Sequence, residues 1–384
     1  MSNPRVLFVN HTSTVSGAEM ILLDVVSACR KPAAFLFEDG KLNADMESRG
    51  VKVFRSRFGN KFNELKRTSS FTRALPMAGR LSATLAELSI IARSYDLIYA
   101  NSQKAFVLGS VASSLSRKPI IWHLHDIINA SHFGSSQRRL QVGLANRFAR
   151  MVIAPSRSVA DAFIAEGGKP NLVRIVPNGL DVESDATPID QLRNRLGLPT
   201  GPLVGVFSRL APWKGQHVVL RALAMLPNVK CIIVGGALFG EDDYAESLRQ
   251  FVLSLGLSQR VSFLGQRSDV QNLMRAVDIV IHPSVSPEPF GRTLVEAMLA
   301  QTPIIATDTG AAADILDYGK AGSLVPPGES DALAAAIQKS LTRSSDIEKQ
   351  VEYGATRART TYSANMMRQS IAEAIESCVC IEAP

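Results

Sequence analysis

Two glutamates in the second half of the chain stand in a setting that suits ligand binding. Within residues 287–296, Glu288 is predicted to lie in a loop, because a proline on either side opposes a helix. Gly291 then opens a predicted helix whose first N–H groups are free to bind a ligand. Glu296 lies on that helix within an otherwise apolar stretch, where a carboxylate is costly unless it is hydrogen-bonded. Two vicinal hydroxyls of a ribose would satisfy it.

A pair of basic residues follows an earlier apolar run. Arg209 and Lys214 come after the predicted strand Leu203–Phe207, at the edge of a parallel sheet where ligands bind. Arginine offers a planar fork to phosphate oxygens, and lysine offers a mobile point charge. Taken singly, each of these residues has an ordinary alternative interpretation. The two cations could form a surface ion cluster, and Glu296 could be a carboxylate on the surface of a helix. Taken together, and in this order, they predict a binding site for a phosphorylated ligand.

The first half of the chain offers two further candidates. Gly17 precedes a helix expected from about Ala18, where a glycine lets the backbone approach a ligand; an ordinary helix start is the alternative. His125 follows a predicted strand and is either a functional or a structural histidine, with His123 as the offset alternative. The turn at residues 10–19 holds one glycine where a dinucleotide-binding fingerprint needs three, which disfavours an oxidoreductase.

These residues must be positioned by an alternation of short apolar runs and helical patterns that continues along the whole chain. Two successive series of this kind predict an α/β protein with two doubly wound, Rossmann-like domains. The domains are predicted at residues 1–177 and 178–362, with a C-terminal helix at about 363–384 that packs back on the first. Because ligands bind beyond the carboxyl ends of parallel strands, two facing domains would form one cleft.

The predicted strands fall into two groups. They are Val6–Asn10, Ala33–Phe37, Leu97–Ala100, Ile120–His123, Met151–Ala154 and Arg174–Val176 in the first series, and Leu203–Phe207, Lys230–Val234, Val261–Leu264, Ile279–His282, Ile304–Thr307 and Ser323–Val325 in the second.

The net charge of +7 is unevenly distributed along the chain. Residues 1–177 have a balance of +12, whereas the remainder has a balance of −5. The segment from Lys52 to Arg73 has seven basic residues against Glu64 alone, and phenylalanines are interleaved at helical spacing. This pattern suits an amphipathic surface at an anionic membrane or acceptor. The alternative is a solvated helix whose phenylalanines enter the core. No nucleic-acid motif accompanies the charge, so no nucleic-acid partner is predicted.

The composition excludes several classes of protein. Of the 384 residues, 46% are hydrophobic and 20% are charged, which is typical of a globular chain. No apolar run reaches the roughly 18–20 residues of a membrane-spanning helix, and the start is too short in apolar residues for a signal peptide. Four cysteines in a chain of this length do not make a disulfide scaffold, and none has zinc-site spacing. A soluble, cytoplasmic protein is expected.

At these motifs the sequence resembles the retaining glycosyltransferases of family 4, which have the two-domain GT-B fold. The E-x7-E signature of that family is met by Glu288 and Glu296, and its G-R-L-x-x-x-K-G segment by residues 208–215, with Ser208 for the first glycine. Residues 176–181 are similar to the interdomain linker, residues 16–19 to the G-G-x-E phosphate loop with one glycine replaced, and residues 261–265 to the strand before the base-binding turn. The resemblance covers nearly the whole chain.

The resemblance implies a role for each candidate in the second half. Arg209 and Lys214 would bind the diphosphate of a nucleotide sugar. Glu288 would hydrogen-bond the hydroxyls of the donor sugar, and Glu296 would hold those of the ribose. Two further groups complete the implied site: the backbone N–H groups of Phe290 and Gly291 beside the sugar, and a turn around Gly265 to Asp269 that meets the base.

In the first half, the resemblance implies that Gly17 admits the phosphates and that His125 lies near the reacting sugar. One departure from the family pattern is notable. Residues 310–314 stand where the family has G-G-x-x-E, with one glycine lost and Asp314 as a shorter acid. No predicted phosphate or sugar contact is removed by it, so activity is expected.

The resemblance therefore implies a retaining hexosyltransferase of polysaccharide, exopolysaccharide or glycolipid synthesis. A UDP-sugar is the first expected donor and GDP-mannose the second, and the acceptor is a saccharide or a lipid-linked sugar. No cofactor and no metal are expected, although residues 241–243 are acidic. A sugar-nucleotide 2-epimerase of the same fold and a non-catalytic sugar-nucleotide-binding protein are the alternatives. If the basic segment binds lipid, the protein would be peripheral on the inner face of the plasma membrane.

Overall fold

The computed structural model describes residues 4–29, 31–58, 78–130, 133–182, 185–238 and 240–379. The chain divides into two compact units. Unit 1 comprises Met1–Gly179 and Ala364–Pro384, and unit 2 comprises Leu180–Ser363. Both units have a parallel sheet flanked by helices, which confirms the predicted α/β class with two doubly wound, Rossmann-like sheets.

The sheet of unit 1 is formed by β1 (Val6–Asn10), β2 (Ala33–Leu36), β3 (Lys52–Arg55), β4 (Leu97–Ala100), β5 (Ile120–His123), β6 (Ala149–Ala154) and β7 (Val173–Ile175). In the described part of this unit, the strand order is β3-β2-β1-β4-β5-β6-β7. The helices are α1 (Gly17–Val26), α2 (Lys41–Ser48), α3 (Ala78–Ala92), α4 (Gln103–Ser116), α5 (Ser135–Phe148) and α6 (Arg157–Ala165). The order reverses between β1 and β4, which is the edge where such sheets bind ligands.

The sheet of unit 2 is formed by β8 (Leu203–Phe207), β9 (Lys230–Val234), β10 (Val261–Gly265), β11 (Ile279–His282), β12 (Ile304–Thr307) and β13 (Ser323–Val325). Its strand order, over the residues described, is β10-β9-β8-β11-β12-β13. The helices are α7 (Ile189–Arg195), α8 (Gln216–Ala224), α9 (Asp242–Ser254), α10 (Val270–Ala276), α11 (Arg292–Leu299), α12 (Ala312–Ile315), α13 (Ser330–Leu341) and α14 (Ser345–Thr361). Here the order reverses between β8 and β11.

The central strands are buried on both faces, as parallel strands covered by helices must be. In β1, Leu7 and Val9 pack into one core, while Val6 and Phe8 pack into another. This alternation places an apolar layer on each face of the sheet, which explains why the strands appear in the sequence as continuous apolar runs.

The last helix, α15 (Ala364–Val379), belongs to unit 1. Its Met367 and Ile371 join the core that contains Phe8 and Leu22. Among the described helices, none combines the length and the apolar character needed to cross a bilayer.

The predicted strands are present, with ends within two residues of those expected, but β3 was not predicted. The helical interpretation of the basic segment is wrong for Lys52–Arg55, which pair in parallel with β2 from Ala33 to Leu36. Four residues with only two apolar members do not signal a strand by themselves, and the backbone bonds offered by β2 decide the conformation. The remainder of the segment, from residue 59 to its end at Arg73, lies outside the described residues.

Candidate functional site

The candidate site of unit 2 lies between β8 and β11, where the strand order of its sheet reverses. The loops that follow β8 and β11 leave neighbouring strands at the carboxyl edge of the sheet. Arg209 and Lys214 follow β8, and Glu288 follows β11. The strand order therefore brings together residues that are far apart along the chain.

Both oxygens of the Glu288 carboxylate accept hydrogen bonds from neighbouring side chains. Nζ of Lys214 lies 2.6 Å from Oε1, and Nε2 of His282 lies 2.7 Å from Oε2. The hydroxyl of Ser284 also donates to Oε2, at 3.1 Å. Lys214 is 7% exposed and His282 is 3% exposed, so the cluster is largely shielded from water. Charges shielded in this way persist because they are paired.

The surroundings of Glu288 keep it ionised. Burial raises the pKa of its carboxyl, but the electrostatic interaction with Lys214, then that with His282, and the hydrogen bonds from both outweigh burial. The pKa of Glu288 consequently lies well below its ordinary value. At neutral pH this side chain accepts hydrogen bonds and cannot donate one, which suits the binding of hydroxyl groups.

Two glycines let the loops of the site approach one another closely. Gly215 has a φ of +72°, and a Cβ there would lie 1.9 Å from the carbonyl oxygen of Pro283. Gly310 has a φ of +62°, and a Cβ there would lie 2.2 Å from the backbone nitrogen of Glu288. Both the left-handed backbone and the close approach exclude a larger residue. The N–H of Ala311 donates to the carbonyl of Glu288 at 3.0 Å, which joins the loop after β12 to the site.

An indole ring links the two predicted phosphate-binding cations. The guanidinium carbon of Arg209 lies 5.4 Å, and Nζ of Lys214 lies 4.3 Å, from the centre of the Trp213 ring. Both distances are within the range of a cation–π interaction. Gln216, which is fully buried, donates to the carbonyl of Arg209 and to the hydroxyl of Ser208, each at 2.9 Å. The loop that carries the cations is thus held by its own polar contacts.

Glu296 borders a cavity of about 200 Å³ together with Ser208, Gly235 and Arg267. Its Oε1 accepts a hydrogen bond from Nε of Arg292, one helical turn earlier, at 2.8 Å. This ion pair resolves the cost of placing a carboxylate on an apolar helix. Polar side chains reach the cavity from the loops after β8 and β10 and from α11, beside apolar lining residues, which is the arrangement expected of a small-molecule site.

Phe290 and Gly291 have different roles in the local structure. The ring of Phe290 is buried and packs edge-to-face on Tyr362, with centroids 5.9 Å apart. Gly291 has a φ of +76° and forms the N-cap of α11. Among the described residues, none accepts a backbone hydrogen bond from the N–H of Phe290 or Gly291. These two amides, rather than the side chains, remain the candidate ligand contacts.

The predicted base-binding turn follows β10. Gly265 ends that strand with a φ of +64°, and Asp269 forms a two-point ion pair with Arg267, with distances of 2.8 and 2.6 Å. The hydrogen bond from Arg267 lowers the pKa of Asp269. Arg267 and Gln266 border the cavity. Asp269 is therefore connected to the cavity through Arg267.

In unit 1, His125 follows β5, and its protonation state is fixed by its neighbours. Nε2 of His125 lies 2.9 Å from Oδ1 of Asn101, whose Nδ2 donates to the carbonyl of Ala18 at 3.3 Å. Because a carbonyl only accepts, the amide orientation is fixed and Nε2 must carry the proton. Burial lowers the pKa of His125 to about 4, so the ring is neutral at pH 7.

His123, the alternative histidine, is an internal group. It is 1% exposed, and its Nδ1 lies 2.8 Å from the hydroxyl of Tyr99. Burial, and then the nearby His125, lower the pKa of His123 well below its ordinary value. The centres of the two imidazole rings are 3.9 Å apart. His125 is the more accessible of the two and is therefore the better candidate for a ligand contact.

Gly17 is the exposed first residue of α1. A Cβ at this position would meet no described atom within 4 Å, so packing does not require the glycine. The preceding turn is held by the buried Glu19, which accepts a hydrogen bond from the Asn10 amide and another from the N–H of Ser16, each at 3.2 Å. The structure thus leaves open space at the start of this helix.

Within unit 2, the structure brings Arg209, Lys214 and Glu288 together, and Glu296 lies beside the adjoining cavity. Gly17 and His125 lie in unit 1. Several residues that contact the candidates had no role predicted from the sequence: Asn101, Trp213, Gln216, His282 and Ser284. One feature of the sequence could have indicated His282 and Ser284: they are polar residues at the end of a buried strand. Over the described ranges, no three His, Cys, Asp or Glu side chains are grouped to hold a metal ion.

Two family models together match most of the chain. The model described as glycosyltransferase family 4 matches residues 24–184, and the model described as glycosyl transferases group 1 matches residues 188–357. The first matched segment contains β2 to β7 of the first sheet, and the second contains β8 to β13, the whole of the second sheet.

The similarity to a solved structure, HepE, extends over nearly the whole chain. HepE of Anabaena, in complex with UDP, is 39% identical with a TM-score of 0.87, and the alignment covers 97% of this chain and 100% of HepE. The complex of HepE with UDP-glucose has 38% identity, a TM-score of 0.86 and the same coverage. With the site geometry and the family models, this similarity shows that the chain belongs to the family 4 glycosyltransferases of GT-B fold.

Curated relatives match over shorter segments. A D-inositol 3-phosphate glycosyltransferase of Mycobacterium marinum is 37% identical over 173 residues, which are 44% of this chain and 37% of the relative. The lipopolysaccharide core mannosyltransferase LpcC of Rhizobium leguminosarum is 36% identical over 145 residues, which are 37% of this chain and 41% of the relative. The matched segments thus span less than half the length of these two relatives.

Proposed function

We propose that this chain transfers a hexose from a nucleotide diphosphate sugar to a saccharide or lipid-linked acceptor, with retention at the anomeric carbon. A UDP-sugar is the first expected donor, because HepE, a structural relative over 97% of this chain, has been solved with UDP and with UDP-glucose. GDP-mannose is the second. The observation that carries the proposal is the ionised Glu288, held at the edge of β8 and β11 by Lys214.

In the proposed reaction, basic side chains take the place of a metal ion. Arg209 and Lys214 bind the diphosphate and stabilise the negative charge that grows on it as the sugar leaves. Glu288, with the N–H groups of Phe290 and Gly291, binds the hydroxyls of the sugar. These groups are preorganised by the loop contacts described above, so little rearrangement is needed when charge develops.

Glu296 has a different role in this proposal, since it borders the cavity and would bind the ribose hydroxyls. The turn from Gly265 to Asp269, through Gln266 and Arg267, would contact the base. Gly17 and His125 belong to unit 1, for which we propose acceptor binding and contact with the phosphates and the transferred sugar. Because His125 is neutral with its proton on Nε2, its Nδ1 would accept a hydrogen bond from a sugar hydroxyl.

A donor screen followed by a transfer assay tests the proposed function. UDP-glucose, UDP-galactose, UDP-N-acetylglucosamine and GDP-mannose are compared by thermal shift, where a ligand at 100 times its Kd stabilises the protein by about 2.7 kcal/mol. The best donor is then incubated with saccharide and lipid-linked acceptors in excess EDTA, and the anomeric configuration of the product is determined by NMR. We expect retention and full activity in EDTA.

Three outcomes would contradict the proposal in distinct ways. Formation of an epimer in the absence of an acceptor would indicate a sugar-nucleotide epimerase. Donor binding without turnover on any acceptor would indicate a non-catalytic binding protein. Activity that requires Mg²⁺ or Mn²⁺ would overturn the metal-independent mechanism while leaving the transferase activity in place.

Replacing Glu296 by alanine should weaken UDP binding about 10- to 100-fold, the effect of losing a hydrogen bond to a charged group. Isothermal titration calorimetry with UDP alone measures this change. Glu246→Ala is the matched control, because Glu246 is also paired with an arginine on a helix of unit 2 but is exposed on α9. Equal UDP affinity in the Glu296 and Glu246 variants would remove Glu296 from the nucleotide site.

We also propose that the segment from Lys52 to Arg73 binds an anionic membrane surface, on the support of its excess of basic residues. Flotation with anionic vesicles should fall with salt, since exposed charges are screened over about 8–10 Å at physiological ionic strength. Replacing Lys61, Lys66 and Arg67 by serine should release the protein without changing transfer to a soluble acceptor. Equal flotation with neutral and anionic vesicles would contradict membrane binding.

A further inference from the structure

His282 is placed at the candidate site by the sheet itself. It is the last residue of β11, next to β8 in the centre of the unit 2 sheet, and it is 3% exposed. Its Nε2 lies 2.7 Å from Oε2 of Glu288. An ionised carboxylate oxygen only accepts hydrogen bonds, so the imidazole must donate through Nε2. A buried histidine in direct contact with the sugar-side glutamate calls for a functional explanation.

The two oxygens of Glu288 are held by groups of different mobility. Oε2 is bound by His282 and Ser284, both of which are almost fully buried on or directly after β11. Oε1 is bound by Nζ of Lys214, which is 7% exposed and lies at the end of a four-carbon chain with more rotatable bonds than histidine or serine. The contact at Oε2 is therefore made by short side chains on or beside β11, whereas the longer side chain of Lys214 has more freedom to turn to another acceptor.

We propose that His282 is a positioning residue that fixes Oε2 of Glu288 and so directs Oε1 towards the donor sugar. When a diphosphate draws Lys214 to its own oxygens, Oε1 loses a partner and becomes free to accept a sugar hydroxyl, while the imidazole prevents the carboxylate from rotating. No proton is transferred and no bond is made or broken by His282. This inference rests on the proposed function, because it assumes that Glu288 binds the donor sugar.

Substitutions at His282 separate positioning from simple packing. Glutamine can place an amide N–H where Nε2 of the imidazole lies, so His282→Gln should keep the hydrogen bond. Leucine fills similar space without a donor, so His282→Leu should lose it. Ser284→Ala removes the weaker second bond to Oε2, together with the contact of 3.4 Å between its hydroxyl and Nε2 of His282. Thr302→Val is the matched control, because it removes a buried hydroxyl of unit 2 that donates to the carbonyl of Met274 and does not contact Glu288.

The decisive measurement is the ratio of the Kd of UDP-glucose to the Kd of UDP, determined by calorimetry on the full chain. His282→Leu should raise this ratio about 10- to 100-fold, since a hydrogen bond to a charged group no longer holds the sugar-binding carboxylate. The affinity for UDP alone should stay near that of the wild type. His282→Gln should restore the ratio, Ser284→Ala should raise it less, and Thr302→Val should not change it. If the wild type prefers a guanine nucleotide, the ratio is measured with GDP-mannose and GDP instead of UDP-glucose and UDP.

The same ratio keeps this inference distinct from the proposed function. If the wild type binds UDP-glucose but transfers it to no acceptor, the transferase proposal fails while the ratio still decides the role of His282. An unchanged ratio in His282→Leu, or a rise in His282→Gln as large as in His282→Leu, would overturn the inference. If His282→Leu does not fold, the Kd ratio is measured in Ser284→Ala instead. An unchanged ratio in Ser284→Ala would also overturn the inference about His282. If the wild type binds neither nucleotide sugar, both proposals fall.

Discussion

Sugar transfer should be lost when Glu288 is replaced by alanine, while the affinity for UDP stays close to that of the wild type. Glu288 is the only ionisable residue in the loop between β11 and α11, residues 283–291, and Lys214 and His282 hold it in place. Groups that meet developing charge or fix the reacting sugar act mainly in the transition state, and their removal lowers turnover by about 10²- to 10³-fold or more. The measurement is kcat for transfer beside calorimetric titration with UDP.

Two controls separate the sugar role of Glu288 from a structural role. Glu288→Gln keeps the shape but not the charge, and it should also be strongly impaired if the carboxylate is what matters. Glu296→Ala should show the opposite pattern, with weak UDP binding as the primary defect. A loss of UDP affinity in Glu288→Ala as large as that in Glu296→Ala would contradict the assignment of Glu288 to the sugar.

Replacing Lys214 by alanine should lower the turnover number more than it weakens donor binding. The diphosphate carries more negative charge as it leaves than it does in the bound donor, so a cation beside it stabilises the transition state preferentially. We expect a fall in kcat of about 10²- to 10³-fold, the range found when one preorganised charge-stabilising group is removed. A variant with unchanged kcat and only a raised KM would show that Lys214 binds the donor without assisting its departure.

The same variant should change how stability depends on pH. The pKa of Glu288 in the folded protein lies below its ordinary value of 4.5, so its ionisation stabilises the fold above about pH 4.5 and this stabilisation is lost as the pH falls. Without Lys214 the pKa of Glu288 should rise, and the stabilisation should shrink. The Tm of Lys214→Ala should therefore lie below that of the wild type at pH 7, and the difference should narrow below pH 4.5. A constant difference across this range would mean that the lost stability comes from packing.

The strands and the candidate residues could be predicted from the sequence for a physical reason. Strands buried on both faces are continuous apolar runs, as in Val6–Asn10 and Leu203–Phe207, and such runs are visible without any knowledge of their partners. The glycine and prolines around Glu288 restrict the backbone locally, so its loop and the start of α11 were also predictable. What the sequence determined by itself is therefore the strands other than β3, the α/β class and the residues at strand ends.

Contacts between elements were decided only by the tertiary structure. Lys214 and Glu288 are 74 residues apart, and they meet because β8 and β11 are neighbours in the sheet, an order that periodicity does not encode. Strand β3 exists because β2 offers an unpaired edge to Lys52–Arg55, a segment with little strand signal of its own. The contact of His282 with Glu288 depends on which way one side chain points from the end of a strand. Spacing along the chain cannot specify such a direction, because it arises from the packing of several elements at once.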